Sequence, residues 1–340
     1  MERRTVVLGG LGILGGGALA YGLFRDKEAP TGAAGKAGTT KGGVRQISMG
    51  HLVALDMAPL FLAKELGLFA KQSLEVATRF FPNPGDNNAA LVGGSLQLTI
   101  NPFTLAYLAR ASGAEVQIVA SCGGSRVMEM VAQGNAGVRS LDELADAAKK
   151  GRKLKICVLQ GDTLDVVVYR AMKERGVDYR NFDIVLSNDL IAMVQSFKSK
   201  QVDVLSHIKP YTTELIRDFG AVSLGTNADV WGEGTPNCVV LGMKPYIDEH
   251  PDVVRSYIAA VTEAYAFARR DPAQAARRLT EGRYYQVSEP VLVQALTEMP
   301  EKFLLAPNIK GMKTAIDDLV ALGYMKPVQL DIFRREFWPA

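Results

Sequence analysis

The stretch Ala54–Gly113, ALDMAPLFLAKELGLFAKQSLEVATRFFPNPGDNNAALVGGSLQLTINPFTLAYLARASG, constrains this chain more than any other feature, because it lays out strands and helices in strict alternation. Pro59 stands at a first helical position and Gly67 closes that helix. Leu74, Val76 and Phe80 then alternate with Glu75, Ala77 and Arg79, a period of two that predicts a strand. Pro82–Asp86 is a loop, with Asp86 or Asn87 as the expected N-cap of a helix through Val92. Leu96, Leu98 and Ile100 alternate again, Asn101-Pro102 is expected to cap and open the next helix, and Gly113 ends it.

The same grammar precedes and follows this stretch. Ile47–Leu55 reads as a strand leading into it and Val116–Ala120 as a strand leading out, with Ser121–Ser125 a glycine-bearing loop. Met128–Ala132 is a further apolar run placed to cross into a second domain. Ser140–Lys150 is an amphipathic helix with Ser140 and Glu143 in capping-box spacing. A second αβ series then runs through strand Leu154–Leu159, helix Thr163–Arg175, strand Phe182–Leu186, helix Ile191–Lys200, strand Val202–Leu205, helix Pro210–Phe219 and strand Val222–Leu224. One last strand, Cys238–Leu241, precedes helices at Pro251–Arg269, Pro272–Leu279, Pro290–Met299 and Met312–Leu322. A single strand returning after the second unit is what a two-lobed protein needs if its chain crosses over and comes back. The expected organisation is residues 44–130 with 236–340 in one lobe and 131–235 in the other, a ligand cleft lying between facing strand ends.

Polar residues cluster where strands hand over to helices, and backbone N–H groups at helix N-termini converge there. The candidate ligand-binding residues of the first unit are Asp56, Met57, Asn83, Gly85, Asp86, Asn101, Phe103, Thr104 and Ser121. Those of the second are Gln160, Gly161, Asp162, Thr163, His207, Lys209 and Trp231 in the VWGEGTPN loop. Asp86, Asn101 and Asp162 have a plainer reading as helix caps, and Trp231 as core, although its glycine- and proline-rich surroundings point to a loop at the cleft mouth. His207 is read as a polar cleft or surface residue, since His51 and His250 show no metal-ligand spacing to it. Lys209, with Arg126 less directly, is the cation near loops that hold Asp56, Asp86 and Asp162. That balance argues against a purely anionic ligand and for a small polar organic one, planar nitrogen- or sulfur-containing compounds included.

Composition sharpens these limits. A formal net charge of +3 over 340 residues and the lack of a dense Lys/Arg run past the first residues argue against nucleic-acid binding. Cys122, Cys157 and Cys238 show no C-x-x-C spacing, so no metal site or disulfide framework is expected and at most one disulfide is possible. No G-x-S-x-G elbow, P-loop, H-E-x-x-H or dinucleotide fingerprint is present, and neither catalytic residues nor a cofactor is assigned. At the N-terminus, Arg3-Arg4 precede an apolar, glycine-rich run from Val6 to Phe24, the form of an export signal of the twin-arginine kind, with an uncleaved anchor as the rival reading. Residues 25–43 have linker composition.

Three blocks carry a resemblance. APLFLAKELGLFAKQSLEV at Ala58–Val76, FPNPGDNNAALVGGSLQLTI at Phe81–Ile100 and KSKQVDVL at Lys198–Leu205 together resemble the periplasmic substrate-binding proteins of ABC importers of the nitrate, sulfonate, taurine and thiamine-precursor type. The resemblance covers most of Gln46–Met299. It implies a two-lobed periplasmic-binding-protein-like fold, each lobe a mainly parallel sheet flanked by helices. It also implies a monomeric exported protein that closes by hinge bending on a small solute and delivers it to a membrane permease without chemistry. The thiamine-precursor branch often reads D-W-x-P-N-x-x-H. Here Asp56 and Pro59 match, but Met57, Leu60 and Ala63 stand at the Trp, Asn and His positions. The alternatives are a pyrimidine-synthesising enzyme of that branch, which sacrifices the histidine replaced here by Ala63, and a membrane-anchored sensor of the same fold.

Overall fold

A computed structural model describes residues 43–122, 124–298, 306–329 and 331–338; the export-signal reading and nearly all of the linker reading lie outside the described residues. Ten strands are formed: β1 (Arg45–His51), β2 (Leu74–Phe80), β3 (Leu98–Pro102), β4 (Val116–Cys122), β5 (Met128–Ala132), β6 (Lys155–Leu159), β7 (Asp183–Ser187), β8 (Val204–Ile208), β9 (Val222–Thr226) and β10 (Cys238–Met243). They build two five-stranded sheets, ordered β2-β1-β3-β10-β4 and β7-β6-β8-β5-β9. Each sheet pairs three strands in parallel and receives one antiparallel strand, β10 in the first and β5 in the second. The architecture is the expected α/β fold with two lobes, and the two antiparallel strands are the places where the chain passes between sheets.

Burial follows sheet position. The central strands β3 and β8 are buried at every residue, whereas edge strand β2 alternates buried and exposed side chains, as a strand with one solvated face must. Local signals start and stop the helices. Pro59 lies in the first turn of helix Ala58–Glu65, and Gly67 takes the left-handed conformation just after it. Ser140 accepts from the Glu143 N–H at 3.1 Å, while the Glu143 carboxylate reaches back to the Arg139 N–H at 2.8 Å.

Several boundaries differ from expectation. The first strand ends at His51 rather than Leu55, because Leu55–Met57 turns as a short 3-10 segment. Strand β8 begins two residues later than expected and continues to Ile208, which takes His207 into the sheet. The VWGEGTPN segment starts in a helix, Asn227–Trp231, closed at its N-terminus by reciprocal Thr226 and Asp229 bonds.

The C-terminal helices wrap both sheets. Helix Pro251–Arg270 packs on helix Ala58–Glu65, and helix Ile309–Ala321 packs on helix Thr163–Glu174. There the Asp318 carboxylate, fully buried, accepts from Arg170 Nε at 2.6 Å and Lys173 Nζ at 3.2 Å. Among the described residues no helix is long and apolar enough to cross a membrane.

Candidate functional site

The carboxyl ends of the two sheets meet. The Leu55 N–H after β1 donates to the Lys209 carbonyl after β8 at 2.8 Å, and the Leu190 N–H after β7 lies 3.3 Å from the Pro82 carbonyl after β2. Between them is a cavity of about 10 Å³, lined by Leu52, Pro84, Pro102 and Asn237 from the first sheet's side and by Asp162, Leu164, Leu190 and Ile208 from the second's. That is room for about one water, so a solute of any size needs the sheets to part.

Asn237, the residue before β10, joins the two sides. Its Nδ2 donates to Asp56 Oδ2 at 2.8 Å, and its Oδ1 lies 2.6 Å from the Thr163 hydroxyl, itself 2.9 Å from Asp162 Oδ1. Thr163 has one proton, so it serves Asn237 or Asp162 but not both. Asp56 and Asp162 are each 1% exposed, and Asp56 Oδ1 and Asp162 Oδ2 have no hydrogen-bond partner among the described residues. The hydroxyls of Thr104 and Ser121, both buried, are likewise unpartnered there.

Burial dominates the electrostatics. It pushes the Asp56 carboxyl up to about 7, partly offset by the Asn237 and Cys238 hydrogen bonds. It pushes Asp162 up to about 6, partly offset by the Leu164 N–H and Thr163. A buried carboxylate without a cation resists ionisation because it has left water without replacement. Burial, followed by the nearby Asp56, also raises the Cys122 and Cys238 thiols. These two residues stand opposite each other on β4 and β10, and all three cysteines are free and buried.

The expected residues fall into distinct settings. Asp56, Met57, Thr104, Ser121, Asp162 and Thr163 are buried around the junction, and Asp162 lines the cavity. Asp162 also caps helix Thr163–Glu174 through the Leu164 N–H, so capping and cleft roles coincide. Gly161 takes a left-handed turn, its N–H donating to Asp165, while Gln160 is exposed. Asn83, rather than Asp86 or Asn87, caps helix Pro84–Val92 by accepting from the Gly85 N–H at 2.7 Å. Proline at the first helical position sets that frame, leaving Gly85 and Asp86 exposed in the first turn. Asn101 does not cap its helix. It is buried in β3 and donates to the Pro84 carbonyl at 3.0 Å.

His207 is not a surface residue: its Nε2 lies 2.9 Å from the Leu190 carbonyl, tying β8 to helix Leu190–Lys198, and burial lowers its pKa to about 4. Lys209 contacts the Glu298 carboxylate and lies 3.7 Å from Glu129, so its charge is already balanced. Arg126 is exposed and paired with Glu233. Trp231 is buried at the end of its helix, not in an open loop, and its ring meets Phe103 edge-on with centroids 5.9 Å apart. Among the described residues no group of His, Cys, Asp and Glu is placed to hold a metal ion.

Sequence reasoning missed three residues. Asn237 was hidden at the end of the VWGEGTPN segment, though a lone Asn before an apolar strand is a visible signal. Asn87 is fully buried between the Thr99 hydroxyl at 2.6 Å and the Ile100 carbonyl at 3.0 Å, and holds the loop beside it. Tyr285, from the helical region, donates its hydroxyl to the Ala54 carbonyl at 3.0 Å and supports the Asp56 turn from behind.

Comparison with known proteins agrees with this geometry. A protein of Brucella abortus (strain 2308), named as a binding protein with no ligand stated, is 28% identical over 215 residues, 63% of this chain and 63% of its own length. The chain thus matches somewhat under two thirds of that relative. The alkanesulfonate-binding protein SsuA from Xanthomonas axonopodis pv. citri bound to MOPS superposes with a TM-score of 0.70 at 18% identity, covering 83% of this chain and 94% of that one. The periplasmic nitrate-binding protein NrtA from Synechocystis PCC 6803 gives 0.73 at 16% identity, with 86% and 87% covered. The NMT1-like family matches residues 40–280, and the chain therefore belongs to the NMT1-like family and has the fold of the periplasmic solute-binding proteins of ABC import systems.

Proposed function

We propose that this chain is the solute-binding component of an ABC import system, capturing a small polar organic compound between its lobes and delivering it to a membrane permease. The observation that carries the reading is the junction itself. Buried polar atoms of Asp56, Thr104, Ser121 and Asp162 lie unpartnered where the two sheets' strand ends face each other. Leaving a buried polar group unpaired costs about 1–3 kcal/mol, so such a cluster is expected where a ligand supplies the partners.

Closing around that ligand needs a hinge. The chain passes between the sheets next to β5 and β10, and few residues absorb most hinge motions. In this reading the first lobe carries β1–β4 and β10 and the second carries β5–β9, so the first crossing falls before Met128 rather than after residue 130, with β5 lying between β8 and β9. The protein acts as an exported monomer in the periplasm, with residues 1–24 as its twin-arginine signal. No chemistry is performed: Ala63 occupies the place of the sacrificial histidine of the pyrimidine-synthesising relatives, and the cysteines are buried.

Isothermal calorimetry of the purified protein against sulfonates, nitrate, pyrimidines, aromatic acids and organic amines tests the reading, together with native mass spectrometry for a co-purified solute. Saturable one-to-one binding with the solute recovered unchanged is the expected result. Absence of binding across every class, or turnover of a bound compound, refutes it. N-terminal sequencing of the mature protein tests the signal, with a start near Tyr21 expected.

A further inference from the structure

Three helix N-termini around the junction are occupied by their own caps, whereas helices Phe103–Ala111 and Tyr211–Phe219 begin without a side-chain cap. Helix Thr163–Glu174 has its Leu164 N–H taken by Asp162 at 3.0 Å, and helix Leu190–Lys198 has its Ile191 and Ala192 N–H groups taken by Asp189 at 2.8 and 2.9 Å. Helix Pro84–Val92 has its Gly85 N–H taken by Asn83. Two of these caps are carboxylates. An anion seated there would meet their oxygens instead of free N–H donors and the positive end of the helix dipole.

Lys209, the candidate cation of these loops, is not left free to receive an anion, because Glu129 and Glu298 hold it. Asp56 and Asp162 are held by Asn237, Thr163 and the Leu164 N–H, and neither forms an ion pair among the described residues. The unpartnered carboxylate oxygens at the junction, Asp56 Oδ1 and Asp162 Oδ2, are acceptors, and the unpartnered Thr104 and Ser121 hydroxyls beside them can donate or accept.

Resting on the solute-binding reading, we propose that the solute carries a positively charged nitrogen group, an ammonium, amidinium or guanidinium, whose N–H donors are held between Asp56 and Asp162. Such a group satisfies both unpartnered oxygens and supplies the charge their burial lacks. A sulfonate or nitrate would leave them unpaired and add repulsion.

The test is calorimetry of the full mature chain with benzamidine, methylguanidine and propylamine, set against MOPS and nitrate, for the protein as it is and for Asp162→Asn and Asp56→Asn. Asparagine is as good an N-cap as aspartate, so Asp162→Asn keeps its helix, and circular dichroism checks both variants. At least one cationic probe is expected to bind, each variant weakening it about tenfold or more, with MOPS and nitrate silent. Binding of MOPS or nitrate in place of the cations overturns the proposal while leaving the solute-binding reading intact. Cation binding that neither variant weakens overturns it as well. Silence of the cations and of every other class overturns both.

Discussion

Asp56→Asn is expected to stabilise the protein at alkaline pH, by an amount the burial of Asp56 sets. The carboxyl rises from an ordinary 3.8 to about 7 in the folded protein. The folded state therefore holds a proton that the unfolded chain gives up between those limits, and stability falls as pH rises through the window. At about 1.4 kcal/mol per pH unit the loss reaches about 4 kcal/mol by pH 8, about 3 of it above pH 4.5. Asp162, raised to about 6, slopes the same way. His51 and His207, both lowered to about 4 chiefly by burial, slope the opposite way, since the unfolded chain protonates them as pH falls below 6.5. These contributions are common to both proteins and cancel in the difference. Urea unfolding at pH 4.5, 6 and 8 should therefore show the advantage of Asp56→Asn growing by about 3 kcal/mol, roughly 10 °C in Tm at the usual conversion for larger domains. The gain should come with weakened solute binding, because a site that keeps a carboxylate out of water trades stability for function. A difference that stays flat across this range would refute the burial argument, whatever its absolute size.

Other expectations follow from the same contacts. Asn237→Ala removes the donor to Asp56 and the acceptor for Thr163 together, and should cost about 1–3 kcal/mol in urea unfolding; a neutral result would show that the junction is wet. Asp318→Ala leaves Arg170 and Lys173 without their shared carboxylate. It should destabilise by about 3 kcal/mol and raise hydrogen exchange in helix Ile309–Ala321. Gly311→Ala would place its Cβ 2.7 Å from the Trp231 carbonyl and 1.9 Å from the Thr235 hydroxyl, so a loss of about 1–3 kcal/mol is expected. With only Trp231 and Trp338 present, the Trp338→Phe variant should report solute binding through Trp231 fluorescence, because Trp231 packs on Phe103 beside the junction; an unchanged spectrum at saturation would place the motion elsewhere.

The alternation of strand and helix, the two sheets and most helix limits were legible in the chain because their causes are local. Pro59, Gly67, Gly176 and Ser140 act on the backbone within a turn of themselves, and apolar periodicity marks a buried face without reference to any partner. The choice of cap at Asn83 over Asp86 was lost by a few residues, since both chemistries fit and only the proline's position decides between them.

Local patterns in the chain therefore specify the fold class, the family and the strand-to-helix turns that a ligand would use. Tertiary structure alone decided which polar residues share those turns. Asn237 meets Asp56 across 181 residues, and Glu298 reaches Lys209 across 89, distances over which no local pattern carries information. The sequence reads Lys209 as a cation near the ligand loops and His207 as a polar cleft or surface residue. Folding neutralised the first and buried the second, because charge and hydration depend on which groups are brought within a few ångströms and how much water they exclude.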